Sequence, residues 1–468
     1  TDPDLPASQK ALEDLTAQGF IYSLFLVSKS GLNKAMEHYQ KIALVKEQIT
    51  EKIEISPQVI QQFHQEIRNI EDLKTKLNQI PANDASHLLE IIIAGGLSLD
   101  ASDVHLEPKE KNISLRYRLD GLLHQAVFLS PVAYYNILLP KIKLLAGLKL
   151  NIHDMAQDGR FTIKLKEADI EVRTSAIPSA FGENIVLRIL NPKTIGLNLE
   201  KLGFRKENFA VIEEQLKKPN GLIMTTGPTG SGKTTTLYAF LKKIAKPEIK
   251  VITLEDPIEY HLEGITQTQV ETDAGYTFAA GLRAILRQDP DVILVGEIRD
   301  KETAEIALNA SLTGHLVFST LHTNDAAGAI PRFLDLGVKP GTLAAGLSLI
   351  IAQRLVRQLC LKCKKEYKPP EEIINKIKKA LPDFKAKMIF YQATGCNQCN
   401  KIGYKGRLVI SEMLVVDQEL EKLISTSPTH SQISDFAVKK GMLNMKKDGL
   451  LRVLSGQTTI EEIERVTG

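Results

Sequence analysis

Apolar and polar residues follow a helical spacing through the first part of this chain. From Ser8 to about Gln79, apolar residues recur three or four positions apart among many Lys, Glu and Gln residues, as at Phe63, Ile67 and Ile70. This spacing predicts two or three amphipathic helices. The helices would serve either as a docking or linker element or as a cap on a neighbouring domain. We assign residues 1–83 to this helical amino-terminal region.

The next region, residues 84–192, mixes the two periods of helices and strands. Residues 87–97 have helical spacing, and a period of two follows before the turn at Asp120-Gly121. The segments with a period of two are 112–119, 161–165 and 170–174. They predict a compact α+β domain. Asn191-Pro192-Lys193 interrupts the pattern, so we place a linker at 193–205.

From about Phe204 short apolar runs alternate with helical segments. Apolar runs at 221–224, 250–254 and 292–295 predict strands, and residues 235–245 predict a helix. This order is typical of an α/β domain with a parallel sheet, which binds ligands at the carboxyl ends of its strands. We assign residues 206–468 to this second domain.

The first predicted strand of this domain leads into a phosphate-binding loop. Residues 227–234 read Gly-Pro-Thr-Gly-Ser-Gly-Lys-Thr. The glycines allow backbone N–H groups to face the phosphates, Lys233 reaches the β and γ phosphates, and the Thr234 hydroxyl ligates magnesium. The predicted nucleotide-binding residues are Gly227, Pro228, Thr229, Gly230, Ser231, Gly232, Lys233, Thr234 and Thr235.

Carboxylates and histidines cluster beside three further predicted strands. The first cluster is Glu255, Asp256 and Glu259, where magnesium and water would lie. In the second, a strand ends in Gly-Glu, so that Glu297 is placed to polarise the attacking water or support the magnesium shell. The third cluster holds His315 and His322, which would sense the γ-phosphate. Acidic residues that only cap helices, and histidines with a structural role, are the alternatives.

All four cysteines of the chain lie in one region. They form the pairs Cys360-x-x-Cys363 and Cys396-x-x-Cys399. Two such pairs supply four soft ligands for a tetrahedral zinc ion without an open position, which predicts a structural site. An iron centre and free or redox-active thiols are the alternatives.

Composition narrows the class of protein. The length of 468 residues indicates a multidomain chain, and 25% charged with 43% hydrophobic residues is typical of a globular protein. The net charge of +3 gives no general case for nucleic-acid binding. The best apolar stretch, 341–352, is shorter than the ~20 residues that span a bilayer. We predict no membrane span and no signal peptide, and because the chain starts at Thr1 we expect a trimmed start.

The order of these motifs resembles the type II secretion and type IV pilus assembly ATPases. In that family, segments such as 227–234, 252–259, 289–300 and 313–325 are the Walker A, Asp, Walker B and His boxes. Upstream segments at 101–108, 116–121, 157–160 and 173–188 are also similar. The resemblance covers roughly residues 85–468 and implies catalytic roles for Glu255, Asp256, Glu259, Glu297, His315 and His322.

The resemblance implies a fold and a mechanism. The fold is a RecA-like P-loop ATPase domain, preceded by a smaller PAS-like α+β domain and carrying a zinc insert at 356–408 and a carboxyl-terminal helical subdomain. Arg160, Arg173 and Arg188 of the smaller domain would close over the phosphates of ATP. Six identical subunits would form a cytoplasmic ring that uses ATP, Mg²⁺ and Zn²⁺.

The implied partner of the ring is an inner-membrane platform protein, and a further cytoplasmic assembly component is a second candidate. Membrane association would be peripheral and through partners, and no nucleic acid is expected. The tetracysteine insert resembles that of assembly motors rather than retraction motors. Pilus assembly, type II secretion and a DNA-uptake pseudopilus stay open.

Three other interpretations stay open beside this one. A nucleic-acid translocase would also be a RecA-like hexamer, and DNA stimulation of hydrolysis would reveal it. A scaffold that binds nucleotide without hydrolysis would not need Lys233, Thr234 and Glu297. The lysine-rich segment 364–387 is either a solvated helix face or a contact with anionic lipid or the platform protein.

Overall fold

The computed structural model describes most of the chain. The described residues are 6–17, 27–34, 52–53, 63, 66–80, 84–129, 133–164, 169–191, 198–382 and 384–468. Residues 1–49 and 50–468 form two compact units. In the first unit, helix α1 spans Pro6–Ala17. The predicted amino-terminal helices are therefore confirmed in part, and the segment 35–51 lies outside the described residues.

A seven-stranded sheet, here called the first sheet, forms the amino-terminal part of the second unit. Its strands are β1 (Lys52–Ile53), β2 (Asp103–Pro108), β3 (Ile113–Leu119), β4 (Leu122–Leu129), β5 (Gln157–Ile163), β6 (Ile170–Ser179) and β7 (Gly182–Leu190), and its helices are α2 (Ile70–Leu77), α3 (Ala85–Ser98) and α4 (Ala133–Leu145). The strand order is β1-β5-β6-β7-β2-β3-β4. All neighbours are antiparallel except β1 and β5.

The helices cover one face of the first sheet because every second strand residue is apolar. In β6 and β7, residues such as Val172, Leu187 and Ile189 are buried in the same core as α3 and α4. Tyr117 of β3 is fully buried there, and its hydroxyl donates to the carbonyl of Ile92 in α3 at 2.9 Å. Polar residues alternate with these apolar ones and lie on the other face. The predicted helix at 87–97 and the strands at 112–119 and 170–174 are confirmed.

A second seven-stranded sheet carries the phosphate-binding loop. Its strands are β8 (Gly221–Thr226), β9 (Val251–Glu255), β10 (Thr266–Gln269), β11 (Val292–Val295), β12 (Leu316–Leu321), β13 (Leu347–Leu359) and β16 (Tyr404–Val415). The order is β10-β9-β11-β12-β8-β13-β16. All neighbours are parallel except β13 and β16. The predicted α/β class is therefore confirmed.

Helices cover both faces of the second sheet, as buried parallel strands require. They are α5 (Lys206–Gln215), α6 (Lys233–Ile244), α7 (Phe278–Leu286), α8 (Lys301–Leu312), α9 (Ala329–Asp335) and α10 (Pro340–Gly346). On one face α6 packs on Ile223 and Phe318, and on the other α8 packs on Leu222 and Ile293. The strands that the sequence predicted at 221–224, 250–254 and 292–295 are β8, β9 and β11.

A small lobe and a group of helices complete the chain. Between β13 and β16 the chain forms β14 (Lys365–Tyr367), α11 (Glu371–Ala380) and β15 (Phe390–Gln392), which together with the four cysteines we call the tetracysteine lobe. The carboxyl-terminal helices are α12 (Gln418–Ile424), α13 (His430–Lys439), α14 (Met445–Leu454) and α15 (Ile460–Thr467). Residues 193–197, the first part of the predicted linker at 193–205, lie outside the described residues.

Within the described ranges, no helix combines the length and the apolar character that crossing a bilayer requires.

Candidate active site

The phosphate-binding loop joins β8 to α6 and leads directly into the helix. Gly230 and Gly232 have φ angles of +78° and +88°, in a region that residues other than glycine rarely adopt. Lys233, the first residue of α6, donates from Nζ to the carbonyls of Gly227 at 2.8 Å and Pro228 at 3.2 Å. Burial lowers the pKa of Lys233, and the nearby Glu297 carboxylate opposes this. The loop and the start of α6 thus offer backbone N–H groups and one cation to an anion.

β13 contacts this loop through the side chain of Gln353. The Gln353 side chain is fully buried and donates from Nε2 to the carbonyl of Ser231 at 2.8 Å. A Cβ atom at Gly227 would lie 2.6 Å from the Gln353 carbonyl and 2.7 Å from Ser231 Oγ. Only glycine therefore fits at position 227. The sequence did not point to Gln353, because it is distant from the loop along the chain and belongs to no nucleotide-binding motif.

Glu297 lies at the carboxyl end of β11, beside the same loop. One of its carboxylate oxygens accepts a hydrogen bond from Arg299, and the other lies 3.4 Å from His322 Nε2. The Glu297 side chain is 17% exposed. The hydrogen bond with Glu297 raises the pKa of Arg299. The structure thus brings a carboxylate, a histidine and a guanidinium together, and Arg299 is the member to which the sequence had given no role.

His322 lies beside this group because the ends of β8 and β12 are linked. The Thr323 backbone N–H donates to Thr226 Oγ1 at 2.8 Å, and the two threonine hydroxyls are also 2.8 Å apart. β12 pairs with β8 in parallel, with Leu321 opposite Thr226. The residue that follows β12 therefore emerges next to the phosphate-binding loop.

His315 lies at the opposite edge of the sheet. It directly precedes the six-residue strand β12, whose length separates it from His322 by about 20 Å. Its Nδ1 is 3.0 Å from the carbonyl of Ala310, near the end of α8. The expectation that both histidines reach the γ-phosphate is therefore corrected: within one chain only His322 lies at this edge.

The three carboxylates at and just after the end of β9 have different partners. Glu255 is 3% exposed and accepts hydrogen bonds from Tyr238, from Thr253 at 2.5 Å and from Gln267 at 3.2 Å. Burial raises the pKa of Glu255, and these donors oppose the rise. Asp256 is partly exposed, with its Oδ2 3.9 Å from Arg299. The expected cluster of three carboxylates around one magnesium position is thus not formed.

Glu259, the third carboxylate, contacts the first sheet. Arg173 of β6 donates to Glu259 Oε2 at 3.0 Å and to the carbonyl of Ile258 at 2.6 Å. Arg173 also lies 3.2 Å from Glu171 on its own strand. An arginine of the first sheet therefore reaches the segment that follows β9 in the second sheet.

Arg160, Arg173 and Arg188 stand side by side on three neighbouring strands. Arg160 pairs with Arg173 across β5 and β6, and Arg173 pairs with Arg188 across β6 and β7. Residues directly opposite in antiparallel strands share a face, so the three side chains, here called the arginine row, leave the first sheet on one side. Asp103 of β2 continues the row and accepts from Arg188 Nε at 3.0 Å. Arg118 of β3 pairs with Asp103 from the other side, 3.1 Å away.

A further guanidinium on β13 lies near the loop. Arg354 donates to the carbonyl of Asn324 at 3.2 Å, just beyond His322. Burial lowers the pKa of Arg354, and its positive charge also lowers that of Lys233. The sequence signal that was available for Arg354 is its place on an apolar strand that leads into the first cysteine pair.

The four cysteines fit a tetrahedral metal ion. Their sulfur atoms all lie within 4.8 Å of one another, with Sγ–Sγ distances of 3.9 Å for Cys360–Cys396 and 3.7 Å for Cys363–Cys399. Four thiolates around one zinc ion at about 2.3 Å lie about 3.8 Å apart. Burial raises the pKa of the Cys399 thiol, and the backbone N–H groups of Cys396 and Gly403, which donate to its sulfur at 3.1 and 3.2 Å, oppose this rise. The site is therefore compatible with zinc.

The fold and the site define a class of protein. A parallel sheet carries a complete phosphate-binding loop after β8, and β11, which β12 separates from β8, is followed by the carboxylate of Glu297. This arrangement is that of P-loop nucleoside triphosphatases.

The chain belongs to the type II/IV secretion system protein family, whose model matches residues 82–465. It is 43% identical to type II secretion system protein E of Pseudomonas aeruginosa over 86% of this chain and 78% of that protein. It is 41% identical to type II secretion system ATPase E of Vibrio cholerae over 93% of this chain and 85% of that protein. Type IV pilus assembly ATPase PilB of Thermus thermophilus is 42% identical over 82% of this chain and 43% of its own length.

Solved structures agree with this assignment. The pilus retraction motor PilT with bound ADP matches 80% of this chain and 96% of its own, with 27% identity and a TM-score of 0.54. The ATPase DotB of Legionella pneumophila shares the fold over 81% of this chain and 95% of its own, with 21% identity and a TM-score of 0.59. The chain is thus an ATPase of the type II secretion and type IV pilus assembly family.

Proposed function

We propose that this ATPase is the cytoplasmic motor for assembly of a type IV pilus or a type II secretion pseudopilus. It would work as a homohexamer at the inner face of the inner membrane and drive a platform protein there. The observation that carries this proposal is the contact of Arg173 with Glu259 and Ile258, because it joins the arginine row to the strand ends that flank the phosphate-binding loop. Such a contact allows nucleotide to control the position of one sheet relative to the other.

We assign nucleotide binding to the loop and the first turn of α6. The Lys233 ammonium, which now donates to the carbonyls of its own loop, would move to the β and γ phosphates. The Thr234 hydroxyl would hold Mg²⁺. This ion, when bound, neutralises phosphate charge. Backbone N–H groups of residues 227–235 would bind the remaining phosphate oxygens.

Hydrolysis would depend on Glu297 and His322. Burial lowers the pKa of Lys233 and the negative charge of Glu297 opposes this, so the two groups face the same site. Glu297 would orient the attacking water. His322, 3.4 Å from Glu297, is suited to contact the γ-phosphate and to report its loss. Asp256 would act on the same side through Arg299, whereas Glu255 would support the strand end through its buried hydrogen bonds.

Closure would come from the arginine row. The negative charge of ATP competes with Glu259 for Arg173, and Arg160 and Arg188 lie on the same face to complete the clamp. Hydrolysis and phosphate release weaken this attraction, so each cycle would close and reopen the two sheets. Repeated around a ring, this motion would move the platform protein and add subunits to a fibre.

ATP turnover measured beside solution mass tests the proposal. Lys233→Ala, Arg160→Ala and, as a control, Lys111→Ala in the loop before β3 would each be compared with the wild type, with and without ATP. We expect Lys233→Ala and Arg160→Ala to lose hydrolysis, Lys111→Ala to retain it, and ATP to favour a hexamer. Normal turnover by Arg160→Ala alone would leave the nucleotide site intact but contradict the clamp.

A further inference from the structure

The tetracysteine lobe encloses a cavity that the ATPase chemistry does not use. The cavity measures about 930 Å³ and lies between α11, β14 and β15. Much of its lining is apolar and half-buried, including Tyr367, Ile374, Phe384 and Met388. This volume falls in the range of about 300–1,000 Å³ that is usual for ligand-binding clefts. Apolar side chains that remain accessible in a cleft of this size can receive an apolar group from another molecule.

The rim of this cavity is positively charged. Three exposed lysines, Lys368, Lys378 and Lys387, line it, and Glu366 is the one acidic side chain among the described lining residues. The whole segment 361–390 contains nine lysines and four acidic residues, whereas the entire chain has a net charge of only +3. The segment that forms this cavity is therefore distinctly basic, whereas the chain as a whole is nearly neutral. An occupant with negative charge at its edges and apolar groups at its centre would complement it.

We propose that this cavity binds an acidic peptide segment of a partner protein, which inserts aromatic or aliphatic side chains between the three lysines. A peptide fits better than a bilayer, because the apolar residues line a concave cleft and not a protruding surface. The peptide's carboxylates would pair with the lysines at the rim. Like most interfaces, this one would combine a buried apolar centre with a charged rim.

The position of the lobe makes such a partner relevant to ATP turnover. β13 carries Gln353, which supports the phosphate-binding loop, and continues into Cys360 of the metal site about 23 Å further along. Lys364 donates to the carbonyl of Gly456 at 2.7 Å, and Lys376 pairs with Glu464 at 2.9 Å, so the lobe is fixed to the carboxyl-terminal helices. A partner on the lobe would thus be connected to the nucleotide site. This consequence rests on the proposed motor function, but the binding itself does not.

Peptide selection against the metal-loaded full chain tests the proposal without any ATP hydrolysis. A displayed random peptide library would be selected on the wild type, and the enriched peptides would be measured by fluorescence anisotropy. The test variant is Lys378→Glu with Lys387→Glu. The matched control is Lys379→Glu, which changes an exposed lysine of the same helix that does not line the cavity. Phe384→Ala tests the apolar floor.

We expect the enriched peptides to combine Asp or Glu with Phe, Leu or Ile. Their Kd should rise at least tenfold for the double variant and for Phe384→Ala, and less than twofold for Lys379→Glu. Basal ATP turnover should be unchanged in all of these variants. Peptides that bind the double variant as well as the wild type would overturn the proposal. So would loss of binding to anionic phospholipid vesicles in the double variant without any selected acidic peptide, since that outcome identifies a membrane contact.

Discussion

His315 and His322 belong to one motif, but the structure gives them different surroundings. Two residues seven positions apart would lie on one face of a helix, whereas on a strand of this length they lie at opposite ends. β12 lies between these two histidines, so only His322 approaches Glu297. The sequence motif predicts the strand β12. The direction of β12 in the sheet determines that His322, and not His315, lies beside Glu297.

Replacing each histidine in turn should separate these positions. We expect His322→Ala to lower kcat by about 10²-fold, the usual effect of removing one group that stabilises the transition state. His315→Ala should keep kcat within about twofold, because its ring hydrogen-bonds to the end of α8, far from Glu297. Steady-state ATP turnover of both variants measures the difference. Equal losses in both would mean that His315 acts on the site of another subunit.

Single residues also show what the sequence could predict of the site. Lys233 and Glu297 could be assigned to a common site from the sequence because a phosphate-binding loop and a strand followed by a carboxylate have fixed local geometry; their roles stay predictions. Gln353, Arg354 and Arg299 could not be found in this way. Their roles depend on which strands are neighbours in the sheet, and β13 lies beside β8 although it follows much later in the chain.

At the scale of elements, we expect the tetracysteine lobe to need a metal ion at its cysteines in addition to its apolar contacts. Its strands β14 and β15 have only three residues each, too few to form a stable sheet alone. The Cys396–Gly403 turn also places Asn400 and Lys401 at positive φ angles of 51° and 59°. A metal ion bound by all four thiolates would offset the cost of this turn.

We expect the purified chain to contain about one zinc ion per chain, which mass spectrometry of the metal content would determine. A strong zinc chelator should lower the melting temperature, since the apo ligands lose the free energy of metal binding. Cys396→Ser should lose the metal and melt earlier even without chelator. Asn397→Ala, in the same turn but not a ligand, is the control. A melting temperature that chelation does not change would rule out a structural metal.

The last helix is attached to β13 by a buried ion-pair cluster. Glu462 of α15 is 2% exposed and lies 2.5 Å from Arg357 and 2.8 Å from Arg465. Burial opposes its ionisation, but the hydrogen bonds from Arg465 and Arg357 lower the pKa of Glu462 from 4.5 to about 2. The helix that ends the chain is thus held to the strand that leads to the cysteines.

This pKa shift predicts how the stability of the chain varies with pH. A carboxylate whose pKa is lowered by folding stabilises the native state fully above its ordinary value of 4.5, and this contribution is lost as the pH falls toward about 2. Glu462→Gln should therefore destabilise the chain by about 3 kcal/mol at pH 7. The difference in melting temperature between the variant and the wild type should narrow between pH 4.5 and 2. A difference that stays constant over this range would contradict the ion pair.

At the scale of the whole second unit, contacts from several elements join the first sheet to the second. Arg173 binds the segment after β9, and the Gly406 backbone N–H donates to Asp120 Oδ2 at 3.0 Å. Ile402, beside the cysteines, packs against the core of the first sheet. These contacts join residues far apart in the sequence, so no local pattern could have predicted them, although the Asp120-Gly121 turn itself was predicted.

If Arg173 must leave Glu259 to bind ATP, weakening that pair should favour the nucleotide. We expect Glu259→Gln to lower the KM for ATP by up to about fivefold, because a partly exposed ion pair contributes about 0.2–1 kcal/mol. Glu171→Gln is the control, since Glu171 lies on the same strand as Arg173 and moves with it. Separate kcat and KM values distinguish this competition from a chemical role of Glu259. An unchanged or higher KM would show that the pair does not oppose binding.

The shared register of the arginine row also limits how this protein can evolve. Because side chains alternate across a sheet, inserting or deleting one residue within β6 would turn Arg173 toward the helix-covered face and bury a charge there. Loss of Arg173 would also remove the contact with the second sheet. Length changes should therefore be confined to the connections between these strands, whereas the strands themselves should accept substitutions but not insertions.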